Sequence, residues 1–509
     1  MNRRSFLRGM TGFGSAVLAG ATAAGCATGG PARPTTTTAR AAAPEWQELA
    51  GALTGALVRP GEPGFDSAGH LYNALYTPHS AAIAQCASTS DVQRCFAFVR
   101  KYDLQVAAHS GGHSYGGYSS CPGLVIDVSR LNQVSAPSDS QTVKVGAGAL
   151  LIDTYSALEA QGLLLPGGSC PTVGIAGLAL GGGNGVFSRA YGLTCDQTAA
   201  VDIVTPDGML RRCSPGSDED LYWACRGGGG GNFGVVTSFE FRAHPIPDAI
   251  TLFTLEWPWG AAPSVLDTWT HWIAGAPSEL WANCQLFSSG SAGDGLVKVT
   301  GVFVGTVARC TSALSPLQAG IGEATTYRFV GPEDYMTAVM IEAGCEGEPV
   351  AQCATPVESP FVAKSSYMGS PLPDASVSAI ITALSDFPTI IPGGGAGVVF
   401  DGYGGVINET RPDQTAFVHR DAVACAQYSI TYPNATPSAA TEGAAAAWLD
   451  GIHRAFADVS QGSYQNYIDP TLTDWQEAYY GNNLPRLRQV KQKYDPENLF
   501  HFAQSIPLA

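Results

Sequence analysis

Three glycine-dense segments constrain this chain more than any other feature. The first, VAAHSGGHSYGGYSS from Val106 to Ser120, runs out of a short apolar stretch into Ser110-Gly111-Gly112-His113-Ser114-Tyr115-Gly116-Gly117. Four glycines in those eight residues let the backbone turn its N–H groups toward one point, a nest for an anion such as a pyrophosphate. The second, LPGGSCPTVGIAGLALGGGNGVFSRAYG from Leu165 to Gly192, sets a Cys-Pro turn at Cys170 before small apolar residues and then Gly181-Gly182-Gly183-Asn184-Gly185. Such bare backbone can lie flat beneath a large planar group and approach its phosphates. The third, RGGGGGNFGVVT from Arg226 to Thr237, carries five consecutive glycines into a strand, which implies close packing against something rigid. One glycine loop alone reads as a surface turn; each further one strengthens the case for the walls of a cofactor site.

Composition frames the rest. A length of 509 residues makes two or three domains of the usual ~150 residues. Hydrophobic residues at 45% and charged residues at 14% exclude a disordered polyelectrolyte. A net charge of −16 argues against nucleic acid and anionic membrane as partners, since both select basic patches. Beyond the N-terminus no run reaches the ~20 apolar residues of a membrane span. The chain opens with Arg3-Arg4-Ser5-Phe6-Leu7 and a weakly apolar stretch from Met10 to Ala24, which reads as a twin-arginine export signal. Ala23-Ala24-Gly25-Cys26 resembles a lipoprotein cleavage site and makes Cys26 a candidate lipid anchor. A Pro/Thr/Ala linker follows, so residues 1–43 are set apart from the folded protein. Twin-arginine export carries folded proteins, which creates an expectation of a cofactor loaded before export and a secreted or cell-envelope destination. An oxidising destination permits disulfides. Cys345 with Cys353 and Cys86 with Cys95 are candidate pairs, although spacing alone does not fix connectivity.

The hydrophobic pattern predicts helices over Ala81–Tyr102 and Leu151–Gln161 and strands over Leu104–Ala108, Leu124–Ser129, Thr142–Gly146 and Val235–Ala243. Thr198 to Arg212 reads as a hairpin around Pro206-Asp207-Gly208. Alternating runs such as Leu252–Trp257 and Leu296–Val304 predict an antiparallel sheet in the middle of the chain, with helices such as Ala261–Ala274 and Ala439–Ala457 on one face. The end of the chain carries a helix, Leu484–Lys493, and a YDPENLF turn.

With the motifs GGHSYGG, PGGSCPTVG, GGGNG-x₃-RAYGL, RGGGGGNFGVVT and YDPENLF-x₃-QSIP, the chain resembles the berberine-bridge-enzyme-like family of FAD-linked oxidoreductases. The likeness runs over Tyr72 to Pro245 and Asp421 to Pro507. It implies an α+β fold: an FAD-binding domain in two parts, 68–247 and 459–509, and a substrate domain, 248–458, with an antiparallel sheet covered by helices. It also implies FAD joined to the protein twice, through His113 at the flavin 8α position and Cys170 at C6. Imidazole nitrogen and thiolate are both nucleophiles able to add to an electron-poor ring. Further cofactor contacts are expected at Ser110, Gly111, Gly112, Ser114, Tyr115, Gly116, Gly174, Gly177, Gly183, Asn184, Gly185, Asn232, Gly234, Val236 and Asn498.

SYQNYID, from Ser463 to Asp469, matches the family's Tyr-x-Asn-Tyr. By that resemblance Tyr467 is the catalytic base, with Tyr464 as its partner or a flavin contact. A phenol with an ordinary pKa of ~10 needs a lowered value or a concerted transfer to act so. Gln427 stands where alkaloid-cyclising relatives carry Glu; a neutral amide orients a hydroxyl but cannot take its proton. Asn184 replaces a Tyr found in many doubly linked relatives, and Asp401 is a candidate for the substrate side. The expected activity is oxidation of a hydroxyl group on a sugar, oligosaccharide or glycosylated natural product, with O₂ as acceptor. The rivals are oxidative cyclisation and a non-catalytic flavin binder. No metal-ligand spacing and no G-x-S-x-G elbow points elsewhere.

Overall fold

The computed structural model describes residues 43–137 and 142–509. The expected export signal and the Cys26 anchor lie outside the described residues, as does all of the linker but Ala43.

Among the described residues the amino-terminal half holds two four-stranded sheets. β1 (Ala56–Val58), β2 (Ala82–Gln85), β3 (Val106–His109) and β4 (Leu124–Asp127) lie in the order β1-β2-β4-β3, with β4 parallel to β2 and β3. β5 (Thr142–Gly146) begins the second sheet, and β6 (Leu163–Leu164) stands apart from it. β7 (Thr198–Val204), β8 (Leu210–Cys213) and β9 (Val235–Arg242) complete the antiparallel order β5-β9-β7-β8. β10 (His244–Pro245) closes on β6. One apolar core, including Phe96, Ile126, Val145, Val201 and Phe239, joins both sheets.

The expected helix over Ala81–Tyr102 divides in two. Its first residues form β2, and the helix runs from Thr89 to Tyr102. Ser88 sets that start by accepting a hydrogen bond from the Asp91 N–H. β2 lies between β1 and β4, so Ala82, Ile83 and Ala84 are all buried. A strand buried on both faces loses its alternation and reads like a helix segment.

The central region is a seven-stranded antiparallel sheet: β11 (Ile250–Trp257), β12 (Leu280–Ser288), β13 (Gly295–Val304), β14 (Tyr327–Pro332), β15 (Phe361–Met368), β16 (Gly395–Gly402) and β17 (Ala424–Thr431), in the order β14-β11-β13-β12-β16-β17-β15. Side-chain alternation splits its faces. One face carries Phe253, Val299, Cys284, Phe400 and Tyr428 against the helices Ala262–Ala274, Val307–Ile321, Asp374–Ile390 and Ala439–Ala455. On the other, the strand register sets Thr254, Thr300, Asn283, Asp401 and Cys425 in one row. That polar row looks toward the amino-terminal half.

The C-terminal segment folds back onto that half. Asn232, in the third glycine segment, receives the Ile506 N–H on its Oδ1 at 2.9 Å, and Lys491 Nζ donates to its carbonyl at 2.9 Å. Lys491 also pairs with Asp495 at 2.7 Å, wholly buried. Across the two halves Arg420 forks onto Asp196, Nη1 to Oδ2 at 2.8 Å and Nη2 to Oδ1 at 2.7 Å. Cys345 and Cys353 form a disulfide, whereas the buried Cys86 and Cys95 sulfurs lie 3.9 Å apart as thiols.

Removing one member of a buried ion pair strands the other's charge at a cost of ~3–5 kcal/mol. Arg420→Met is therefore expected to lower unfolding free energy by about that much, and Arg420→Met with Asp196→Asn by clearly less, measured by chemical denaturation. Equal losses would show that the fork does not carry this junction.

Candidate active site

The three glycine segments, the turn at 463–467 and the polar face of the large sheet close around one cavity of about 460 Å³. The first two segments meet backbone to backbone. A Cβ on Gly111 would stand 2.3 Å from the Gly174 nitrogen, and one on Gly174 2.5 Å from the Gly111 nitrogen. Gly185 is equally committed, since a Cβ there would lie 2.2 Å from the Gly167 carbonyl oxygen. These glycines serve the protein's own packing. Gly177 differs: it lies in the helix Ile175–Gly181, lines the cavity, and a Cβ there would meet nothing within 4 Å. Gly230, also on the wall, is nearly as open, with its nearest neighbour 3.9 Å away.

His113 sits at the heart of the first loop. Tyr72 stacks on its ring with centroids 4.1 Å apart and planes at 18°. Thr172 Oγ1 lies 2.9 Å from its Nε2, and among the described residues no hydrogen bond engages Nδ1. Burial, with His70 and His109 nearby, pushes the imidazole down to about 3, so it is neutral across the physiological range. Cys170 is two residues before the same Thr172. Burial pushes its thiol up, opposed by hydrogen bonds from Thr172.

The C-terminal turn supplies the aromatic wall. Tyr464 is buried, and its hydroxyl accepts from the Gly183 N–H at 2.9 Å and from Asn466 Nδ2 at 2.9 Å. It is a strut between the turn and the second glycine segment. Tyr467 stacks on Tyr115 with centroids 5.6 Å apart and meets Tyr464 edge-on at 5.0 Å. Among the described residues nothing in the protein hydrogen-bonds its hydroxyl. Burial, then the charge of Asp401, pushes that phenol well above its ordinary value. Gln427 Nε2 donates to Tyr115 Oη at 2.7 Å, so the amide holds the aromatic wall. Asp401 lines the cavity without a hydrogen-bond donor among the described residues, and burial, reinforced by Glu342, pushes its carboxyl up to about 7.

The cavity brings together Ser110, Gly111, Gly112, His113, Ser114, Tyr115, Cys170, Gly174, Gly177, Asn184, Gly185, Asn232, Gly234, Val236, Gln427, Tyr464 and Tyr467. Three expected contacts fall elsewhere. Gly116 packs on Tyr118 and Pro470 and lines a neighbouring hollow of about 350 Å³. Gly183 sits behind the wall, with Thr194 where a Cβ would go. Asn498 takes a positive φ of 51° in the turn after the last helix, its N–H on the Asp495 carbonyl. Tyr72 and Thr172 escaped the sequence reading. Thr172 lay inside a quoted motif, and Tyr72 carried no signal beyond being aromatic. Phe502 and Gln504, in the C-terminal motif, also line the cavity.

A flat dinucleotide fits these walls. The cavity offers glycine backbone at 111–112 and 230–231, bare surface over Gly177, and two buried polar atoms without a protein partner, Ser119 Oγ and Asn184 Oδ1. The family comparisons agree. An FAD-binding-domain model matches residues 80–214, and a berberine and berberine-like model matches 463–507. The FAD-linked oxidoreductase YgaK of Bacillus subtilis is 31% identical over 461 residues, 89% of this chain and 97% of that one. Berberine bridge enzyme-like 7 of Arabidopsis thaliana is 30% identical, covering 84% of each chain. The chitooligosaccharide oxidase of Gibberella zeae is 29% identical, covering 86% of this chain and 89% of that one. The solved structure of Physcomitrella patens BBE-like 1 superposes with a TM-score of 0.83 at 27% identity, over 91% of this chain and 99% of that one. A cavity of this build in an α+β fold defines a flavin-dependent oxidoreductase. The chain belongs to the berberine-bridge-enzyme-like family of FAD-linked oxidoreductases.

Gly177→Ala tests the fit. The fold has room for the methyl, so thermal stability without flavin should match the native protein. Flavin content after expression should fall, read as the ratio of flavin to protein absorbance. Full loading of the variant would place the ring elsewhere in the cavity.

Proposed function

We propose that this enzyme oxidises a CH–OH group of a sugar, oligosaccharide or glycosylated natural product on FAD tethered at His113 and Cys170. The 68–247 and 459–509 segments hold the cofactor, and 248–458 supplies the substrate side. The observation that carries the reading is the convergence of two groups on one cavity: a Tyr467 hydroxyl without a hydrogen-bond partner among the described residues, and a half-buried Asp401 carboxyl pushed up to about 7.

FAD held by the glycine segments would supply the hydride acceptor for the carbinol carbon, with O₂ as the final acceptor. The protein's part is to hold the substrate and move its proton. Tyr467 receives the hydroxyl proton. Because burial disfavours a free phenolate, it does so as its own proton leaves. Asp401, whose charge is felt at Tyr467, is ionised above about pH 7; the two share no direct hydrogen bond, so Asp401 takes that proton on through one bridging water. Gln427 and Tyr115 keep the Tyr467 ring in place. No base stands at position 427, which weighs against the cyclising chemistry of other family members. The chitooligosaccharide oxidase among the relatives supports a carbohydrate substrate.

For the tethers, His113 offers a neutral imidazole with Nδ1 uncommitted, and Cys170 stands across Thr172 from it. Two tethers would raise the flavin's potential and hold it in an open groove. Export in the folded, loaded state belongs to the same reading: the twin-arginine motif supports it, and so does the Cys345–Cys353 disulfide.

The test is peroxide release with glucose, cellobiose, xylobiose and chitobiose, beside a set of glycosylated polyketides. Anaerobic flavin reduction by none of them would refute the reading. With a sugar in hand, kcat should fall about tenfold per pH unit below about 7, the value set by Asp401. Asp401→Asn should remove that limb and slow turnover by ~10²–10⁴-fold. An unchanged limb would exclude Asp401 as the proton acceptor. For the tethers, acid-precipitated protein should stay yellow in His113→Ala and in Cys170→Ala and bleach only in the double variant. Colour lost with either single change would mean one tether, not two.

A further inference from the structure

The turn that carries Tyr467 is gripped at both ends by adjacent residues of β15. At its start, Ser463 Oγ donates to the Ser365 carbonyl at 2.8 Å, and the Tyr464 N–H donates to Ser365 Oγ at 3.0 Å. Past its end, Lys364 Nζ donates to Asp469 Oδ2 at 2.7 Å and to Thr471 Oγ1 at 2.7 Å. Between these grips lies the short 3-10 turn Gln465–Tyr467. The pair is nearly dry, with side chains 10% and 8% exposed for Lys364 and Asp469. A more distant, exposed carboxylate, Asp450, stands 3.5 Å from the same ammonium. Asp469 is saturated. Its Oδ1 accepts from the Thr471 N–H and hydroxyl, its N–H donates to Tyr479 Oη at 2.9 Å, and its carbonyl accepts from Gln504 Nε2 at 2.7 Å.

We infer that Lys364 is a positioning residue for the reaction: through Asp469 it fixes the turn that presents the Tyr467 hydroxyl to the substrate. Resting on the proposed role of Tyr467, the inference adds a residue outside the cavity. A buried ion pair is a poor device for stability, because well-packed apolar side chains of similar size do as well or better. It is a good device for geometry, since each partner is satisfied in one arrangement only. Geometry matters here because, among the described residues, no protein group hydrogen-bonds the Tyr467 hydroxyl, and of Tyr467 only the backbone N–H is held, on the Tyr464 carbonyl at 2.9 Å. Its placement rests on ring stacking, on Gln465 and Asn466, whose side chains bond the Gly227 and Leu178 carbonyls, and on the two ends of its turn, of which Lys364 holds the one past Tyr467. A displacement of about 1 Å at a reacting group costs on the order of 10²-fold in rate.

The test uses the flavin-loaded enzyme and whichever of glucose, cellobiose, xylobiose and chitobiose reduces it fastest, followed by anaerobic stopped flow. Lys364→Met should slow flavin reduction by about 30–100-fold, with KM within about twofold and flavin content unchanged. Lys364→Arg should recover all but about threefold. Lys364→Met with Asp469→Asn leaves no stranded charge. It should fold even where the single variant does not, and remain slow. In a Tyr467→Phe background, Lys364→Met should add less than about twofold, because its effect runs through the phenol. A loaded double variant at native rate overturns the role of Lys364. So does a full multiplicative loss on top of Tyr467→Phe, and so does failure of every Lys364 variant to fold and load flavin, which would make Lys364 a folding residue. Native speed in Tyr467→Phe alone overturns the Tyr467 assignment, and the role of Lys364 falls with it.

Discussion

The contact between Gly111 and Gly174 is the constraint on which the rest of the site depends. Two loops from different parts of the chain cross with no side chain between them, each glycine at the van der Waals limit of the other's backbone nitrogen. That crossing brings His113, on one loop, and Cys170 with Thr172, on the other, to the same end of the cavity. A methyl group at either crossing point would have to push backbone apart, and backbone cannot yield as the end of a flexible side chain can. The glycine richness of the chain is therefore of two kinds. Most of these glycines let protein meet protein; a few, such as Gly177, leave a surface bare for a guest.

The large sheet provides the second organising element. Its seven strands alternate so that one face disappears under four helices, while the other sets a row of polar groups beside Leu252, Val302 and Trp281, which join the amino-terminal core. Register then decides which polar groups become neighbours. Asp401 is opposite Asn283 on one side and Cys425 on the other, and Gln427 follows Cys425 by two. The outermost strand on that side, β15, carries the turn of Tyr467 through Ser365 and Lys364. Asp401, Gln427 and the turn of Tyr467 are thus joined to one layer, though far apart in sequence.

The glycine segments, the strand–helix alternation and the C-terminal turn were legible because each is a local pattern with a physical meaning. The strand at Ala82–Gln85 was hidden because burial on both faces erased its alternation. Gly116 and Gly183 were placed on the wall because they sit inside the motifs, but being adjacent to a lining residue turns a Cα away as often as toward a cavity. Asn498 belongs to a turn whose need for a positive φ is not visible in the string. Tyr72 reaches His113 from a segment preceding the motifs, tied down by the Tyr72 N–H on the Gly112 carbonyl. The strand register sets Asp401 between Asn283 and Cys425 on the row that faces the cavity, a placement the string does not show.

Two half-buried aspartates show how the same residue type meets opposite surroundings. At Asp196 burial raises the carboxyl's affinity for a proton, but the Arg420 guanidinium forked onto it more than offsets this, and the net shift is downward. That carboxylate is permanently charged and structural. At Asp401 burial acts without a cation or a donor to oppose it, and the nearby Glu342 adds to it. A carboxylate satisfied by hydrogen bonds is a weak base; one desolvated without such bonds has a raised proton affinity. Among the described residues no donor opposes burial at Asp401, and its proton affinity rises toward neutral pH for that reason. The cost in stability of keeping a carboxyl in that state is borne by the packed sheet beneath it.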